Sequence, residues 1–231
     1  MMKVQKSMFE IEKVRRVAVF IGMFGSGKTE IALNFALKLK SKYEEVALED
    51  IDVISPYFRT RDLKAEFEKM GIDVITPEEK LIHADLPIIS PKVKGFINKE
   101  NYRVVIDCGG NDDGAVVLSS LYSTLRNEDH DIFFVINPYR PFTDTVNKTV
   151  EHIKRLEKTS RLKISYLVNN SNIGNLTEER NILYGEDFAE KIGESVGIPV
   201  AMTVIKEDIK CGNTRFPRFE IKKFLKTPWE V

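Results

Sequence analysis

Short apolar, β-branched runs alternate with segments of helical spacing along most of this chain. Residues 17–21 read Val-Ala-Val-Phe-Ile, apolar at every position, as strands buried on both faces do. Similar runs lie at 46–49, 73–75, 104–107, 132–136, 164–168 and 199–204. Between them, 28–40, 61–69, 114–125, 145–157 and 178–195 carry apolar residues at helical intervals. This alternation predicts an α/β fold, a doubly wound, mostly parallel sheet of about seven strands with helices on both faces. The segment 76–99 is broken by Pro77, Pro87 and Pro91 and reads as a loop, a short helix and at most an edge strand. No repeat or Ser/Gly linker divides the chain. Residues 1–231 are therefore expected as one domain, with a core at about 15–205 and a C-terminal tail at 206–231. Within the tail, 216–229 is expected as a short amphipathic helix or a strap folded back on the body.

The junction of the first strand and first helix carries the chemistry. Gly22-Met23-Phe24-Gly25-Ser26-Gly27-Lys28-Thr29 fits G-x-x-x-x-G-K-[ST] in full. Glycines allow a tight turn whose N–H groups face phosphate oxygens, and the helix N-terminus adds partial positive charge. Gly22, Gly25, Ser26, Gly27, Lys28, Thr29 and Glu30 are the candidate nucleotide-binding residues. Lys28 is expected to reach the β- and γ-phosphates, and to stand exposed in the empty site. Thr29 is expected to ligand Mg²⁺.

A phosphate loop of this kind needs a strand-end carboxylate for its metal ion. Arg103-Val104-Val105-Ile106-Asp107-Cys108-Gly109-Gly110 supplies Asp107, which pairs with Thr29 as the metal candidate. Gly109 or Gly110 would offer an N–H to the terminal phosphate. Leu48-Glu49-Asp50-Ile51-Asp52 closes the strand after the loop helix. Asp50 and Asp52 fall on one side of an extended segment, where either would orient an attacking water or hold a metal-bound one. The catalytic candidates are Lys28, Asp50, Asp52 and Asp107. Cys108 reads as packing, and His83, His130 and His152 share no ligand spacing with the cysteines.

Composition mainly excludes. Lys plus Arg equals Asp plus Glu, 35 against 35, so no global field recruits nucleic acid. A local basic bias exists at Lys210, Arg215, Arg218, Lys222, Lys223 and Lys226. The first residues lack a signal-peptide pattern, no apolar run is long enough for a membrane span, and two cysteines make no disulfide framework. A cytoplasmic protein is expected.

Together the loop, the Asp-x-Asp after the next strand and the apolar strand ending in Asp107 resemble the SIMIBI class of P-loop NTPases. More narrowly they resemble its CobQ/CobB/MinD/ParA nucleotide-binding group. The resemblance implies a doubly wound sheet with the Asp107 strand beside the loop strand, and often a nucleotide-dependent dimer. A protein partner or a second copy of the chain is accordingly expected. MinD and ParA carry a lysine where Met23 stands, and a thioether cannot bond phosphate oxygens, so a lysine-bridged ATP sandwich is not implied. The loop reads more like that of the nickel-insertion GTPases of urease and hydrogenase. At the strand end Val168-Asn169-Asn170-Ser171-Asn172, no Asp stands where a GTPase would read guanine. The run resembles the Asn-rich end of ATP-using members, with Asn170, then Asn169, as the adenine-reading residue. ATP and Mg²⁺ are the expected ligands, and Mg-dependent ATP hydrolysis driving a switch or the maturation of a partner is the expected activity. Alternatives are a metabolite kinase or ligase of the dethiobiotin synthetase/CobQ type, a metal-insertion GTPase, or a non-hydrolysing nucleotide-binding subunit. Residues 55–62 hold the position of a switch loop, where Tyr57, Phe58 and Arg59 would either suit a partner surface or, as to the aromatic pair, tuck into the core. Arg140, between two prolines, would contact a phosphate or a partner, or make a surface ion pair.

Overall fold

The computed structural model describes residues 10–52, 63–76 and 90–225. Eight strands form one sheet: β1 (Val17–Ile21), β2 (Val46–Asp50), β3 (Asp73–Ile75), β4 (Arg103–Asp107), β5 (His130–Ile136), β6 (Tyr166–Asn169), β7 (Val200–Lys206) and β8 (Arg218–Ile221). Their order is β3-β2-β4-β1-β5-β6-β7-β8, and every pairing is parallel. Among the described residues seven α-helices accompany them: α1 (Lys28–Lys40), α2 (Lys64–Lys69), α3 (Pro91–Ile97), α4 (Asp112–Ser120), α5 (Tyr122–Leu125), α6 (Val146–Ser160) and α7 (Glu179–Val196). The doubly wound α/β expectation holds.

Alternation within β1 builds the two halves of the core. Val17, Val19 and Ile21 face the cluster that includes Ala115, Leu118, Ile153 and Ile192 from α4, α6 and α7. Ala18 and Phe20 face the opposite cluster, with Ile31 and Phe35 of α1 and Phe67 of α2. Phe20 stacks on Phe133 at 5.0 Å and meets Phe35 edge-on at 5.0 Å. Aromatic pairs of that geometry add to what burial of their area contributes. Because β1 lies between β4 and β5, the chain leaves it in both directions along the sheet. The carboxyl ends of β1, β2 and β4 therefore frame the crevice where such sheets bind ligands.

Several boundaries depart from the sequence reading, each for a local reason. The helix expected over 114–125 is two helices. Ser119 and Ser120 hydroxyls donate back to the Val116 and Val117 carbonyls, and a bend at Leu121 separates α4 from α5. The strand expected at 164–168 begins at Tyr166, because the Ile164 amide donates to the Glu157 carboxylate instead of a ladder. The largest departure is at the C-terminus. Residues 218–221, expected in a helix or strap of the tail, form the eighth strand beside β7. Phe219 and Ile221 point into the core there, in the alternation of a half-covered strand. Residues 222–225 then cross onto α1 as a strap. Asn34 holds the Lys222 N–H and carbonyl at 2.8 Å each, and Phe224 packs edge-on against Phe67 at 5.4 Å.

Candidate nucleotide site

Between β1 and α1 the chain makes the turn its glycines permit. Gly25 and Gly27 have φ of 75° and 87°, the left-handed region that other residues enter at a cost. Ser26 N–H closes the turn on the Met23 carbonyl at 3.0 Å. Side chains are excluded nearby as well. A Cβ on Gly110, after β4, would run into the Gly22 carbonyl, so the two backbones lie against each other. His152 of α6 fixes that contact, its Nε2 donating to the Gly110 carbonyl at 2.5 Å. Arg155 donates to its Nδ1, and burial holds the imidazole below its usual pKa. No metal-ligand spacing drew attention to His152, and its role here is a backbone clamp.

The four catalytic candidates converge. Lys28 Nζ pairs with Asp52 Oδ2 at 3.0 Å, and both side chains are about 6% exposed. The exposed Lys28 expected for the empty site is therefore incorrect: α1 carries the ammonium inward against the acids at the strand ends. Asp50 and Asp107 stand opposite each other in the β2–β4 ladder. Asp50 Oδ1 accepts the Asp52 N–H at 3.0 Å, and Thr29 donates its hydroxyl to Asp107. Burial, aided by Asp107, raises Asp50 well above the usual carboxyl range. Burial raises Asp107 to about 6, with Lys28 opposing it and Asp52 adding to it. Lys28 itself is held above its ordinary value: burial works against the ammonium, but Asp52 and Asp107 outweigh it. The cluster is a low-dielectric knot of three carboxyls and one ammonium.

Among the described residues, two buried polar atoms in this knot have no hydrogen-bond partner: Ser26 Oγ, inside the glycine turn, and Asp107 Oδ1. Buried oxygens are seldom left so unless a ligand completes them. Ser26 Oγ beside the turn N–H groups suits an anionic phosphate, and Asp107 Oδ1 beside the Thr29 hydroxyl suits a hard divalent cation.

Other candidates sit differently. The Glu30 carboxylate accepts Phe224 N–H at 2.5 Å and Leu225 N–H at 3.2 Å, so its side chain anchors the strap. Burial raises it to about 6 against those two bonds. Asn169 is wholly enclosed. Its Oδ1 accepts the Ser171 N–H and hydroxyl, and its Nδ2 donates to Ile182 carbonyl and Thr203 Oγ1. Asn170 donates Nδ2 to the Ser26 carbonyl at 2.6 Å, tying β6 to the glycine turn. Arg140 donates Nε to the Gly25 carbonyl at 3.0 Å, and among the described residues it has no ion pair. The residue that sequence reasoning passed over is Asn137, wholly buried at the end of β5. The Asn137-Pro138 pair was a visible turn signal. The proposed switch loop, with Tyr57, Phe58 and Arg59, lies outside the described residues, as does His83. Cys108 is buried among carbonyls, as packing requires. Of the basic C-terminal group, Arg215 is paired with Asp187 and Glu190.

One buried acid faces away from the knot. Glu49 lies between Ile75 and Ile106 on the opposite face of the sheet. Among the described residues neither of its oxygens has a partner, and burial alone raises its pKa far above normal. The folded carboxyl therefore keeps its proton to higher pH than the unfolded chain, which ionises above pH ~4.3. The folded state then binds the extra proton, so rising pH removes stability between the unfolded and folded pKa values, by up to about 1.4 kcal/mol per unit. Replacing Glu49 with Met, of similar volume, is expected to stabilise the protein by about 1–3 kcal/mol at pH 7 and to flatten that slope. Urea melts at pH 5 and pH 7.5 check both expectations. An unchanged or lower midpoint for Glu49→Met would show the carboxyl to be satisfied.

No protein-family model matches the sequence, and no curated protein matches it. Solved structures do. The cell-division protein FtsY of Thermotoga maritima aligns over 92% of this chain and 67% of its own, with TM-score 0.56 and 17% identity. Chloroplast FtsY of Physcomitrella patens aligns over 85% and 61%, with TM-score 0.55 and 14% identity. The 54 kDa signal recognition particle protein of Aeropyrum pernix, solved with GDP, aligns over 89% and 43%, with TM-score 0.54 and 18% identity. The chain spans about three-fifths of the Mycoplasma mycoides and Physcomitrella patens FtsY chains. At these identities the likeness is one of fold. The shared fold is the one that the SIMIBI resemblance of the motifs implied. The CobQ/CobB/MinD/ParA branch is not singled out among these neighbours. Among the described residues, no helix is long and apolar enough to cross a membrane.

Proposed function

We propose that this chain binds a nucleoside triphosphate with Mg²⁺ at the turn 22–29 and hydrolyses it as a switch acting on a partner protein or in that protein's maturation. One observation carries the reading: two orphaned buried oxygens, Ser26 Oγ and Asp107 Oδ1, sit with Lys28 and Thr29 at a complete phosphate-loop motif. Gly22, Gly25, Ser26, Gly27 and the Glu30 backbone would hold phosphates, while Thr29 and Asp107 would hold Mg²⁺. That ion supplies charge neutralisation at the phosphates when bound. Triphosphate entering the turn draws Lys28 from Asp52, because the phosphates offer the ammonium more negative charge. Asp52, released from that pair, accepts a proton or hydrogen bond from the attacking water, and Asp50 holds the Asp52 backbone in place. The backbone at Gly110, clamped by His152, keeps the wall of the site fixed against Gly22.

Adenine is the base we propose, and ATP the nucleotide. Its support is chemical: residues 169–177 contain no carboxylate to accept guanine N1–H and N2–H₂. A guanine reading has its own support, since similar folds were solved with GDP and, for FlhF, with GTP and Mg²⁺. Competition of ATP, ADP, GTP and GDP against a fluorescent analogue separates them. The adenine nucleotides are expected to bind several-fold tighter, and equal or stronger guanine binding would reverse the assignment. A homodimer or another partner is proposed from the class resemblance alone. Chromatography with and without a non-hydrolysable triphosphate tests the dimer.

A further inference from the structure

The loop after β5 is built more heavily than a surface connection requires. Asn137 Oδ1 accepts the Tyr139 and Asn172 N–H groups, and its Nδ2 donates to the Asn172 carbonyl. Its own carbonyl accepts the Arg140 N–H at 3.1 Å and the Thr143 hydroxyl at 3.0 Å. Within this frame Phe142 is held at φ 72°, a costly conformation for an aromatic residue that surrounding bonds must enforce. The product of the construction is the placement of Arg140.

Arg140 Nε donates to the Gly25 carbonyl at 3.0 Å, and its Cδ and Nε lie over the face of Gly25 that a Cβ would occupy. One residue further on, Asn170 holds the Ser26 carbonyl at 2.6 Å. Two successive carbonyls of the phosphate loop are thus tied by donors from neighbouring strand ends. A planar trans peptide carries its N–H opposite its carbonyl. Fixing the Ser26 carbonyl fixes where the Gly27 N–H points, and fixing the Gly25 carbonyl fixes the Ser26 N–H that closes the turn on Met23.

We propose that Arg140 is a positioning residue: it braces the Gly25 peptide so that the phosphate cradle is formed before a nucleotide arrives. The inference deepens the nucleotide reading above and rests on it. Pre-formation spares the ordering cost that a floppy glycine turn would otherwise charge against binding. The brace acts on the loop, not on the terminal phosphate, so it serves di- and triphosphates alike. Lysine is an imperfect substitute, because its point charge on a flexible stem lacks the planar Nε–H that meets the carbonyl.

The test is nucleotide affinity for the wild-type chain, Arg140→Ala and Arg140→Lys, using fluorescent di- and triphosphates and following turnover at saturation. Arg140→Ala is expected to weaken both ligands by the same factor, roughly five- to tenfold, with saturated turnover held within about twofold. Arg140→Lys, which keeps charge and fold, is expected to fall between. Gly25→Ala strains the same peptide, so its affinity loss and that of Arg140→Ala are expected to be less than additive. Unchanged affinities in both Arg140 variants would overturn the brace. A loss confined to triphosphate, or to turnover, would also overturn it by placing Arg140 on the terminal phosphate. If the wild-type chain binds no nucleotide, the site reading itself fails. If it binds and only the Arg140 variants prove silent, the brace alone fails.

Discussion

Lys28→Ala is expected to abolish turnover and to destabilise the empty protein by about 3 kcal/mol. The reason is the company Lys28 keeps. Its ammonium is enclosed with Asp52 at 3.0 Å and lies near Asp50 and Asp107. Removing it leaves a buried carboxylate uncompensated beside two other acids. Part of the loss is recovered by protonation, so the destabilisation is expected to shrink as pH falls toward 5. Lys28→Met with Asp52→Asn removes both charges and is expected to regain most of the stability and none of the turnover. Urea unfolding and phosphate release, measured on the same preparations, check the two halves. A Lys28→Ala protein as stable as wild type would mean that the buried pair contributes nothing.

Asp107→Asn is expected to move stability the opposite way. Asp107 is raised to about 6 by burial, with Asp52 adding to the effect and Lys28 opposing it, and its Oδ1 is unpartnered. A neutral amide of the same shape relieves that crowding, while its oxygen still accepts the Thr29 hydroxyl. The empty protein is therefore expected to melt higher at pH 7 than wild type. Triphosphate binding is expected to lose most of its Mg²⁺ dependence, while binding in EDTA stays nearly unchanged. Because Asp107 is the acid proposed to hold the ion, retention of full Mg²⁺ dependence would remove it from that role. Asp52→Asn should differ, keeping Mg²⁺ dependence and losing turnover, since accepting from water matters only in the transition state.

The sequence announced β1 and α1 in full because both are periodic, local and bounded by glycines. It also named Lys28, Thr29, Asp50, Asp52 and Asp107, which the strand ends gather because parallel strands of one sheet finish on the same edge. Burial at that edge was not legible. Whether Lys28 faces solvent depends on β2 and β4 delivering carboxyls against it, a relation among residues far apart in the chain. Asn169 and Asn170 illustrate a second limit. An asparagine after a strand can read a base, satisfy a turn or brace a neighbour, and one of these roles does not exclude another. Here the partners are Ser171, Thr203 and the Ser26 carbonyl. The eighth strand was missed for a related reason. Arg218, Phe219, Glu220 and Ile221 alternate over only four positions, too short a run to separate from a polar tail until β7 offers its edge.

Calorimetric titration of the purified chain with Mg-ATP, and separately with Mg-GTP, decides whether the turn binds nucleotide at all. One saturable site per chain is expected for at least the adenine nucleotide, with heat abolished in Lys28→Met/Asp52→Asn despite its retained fold. A folded wild-type chain that binds neither triphosphate at millimolar concentration would contradict the assignment of residues 22–29 as a nucleotide site.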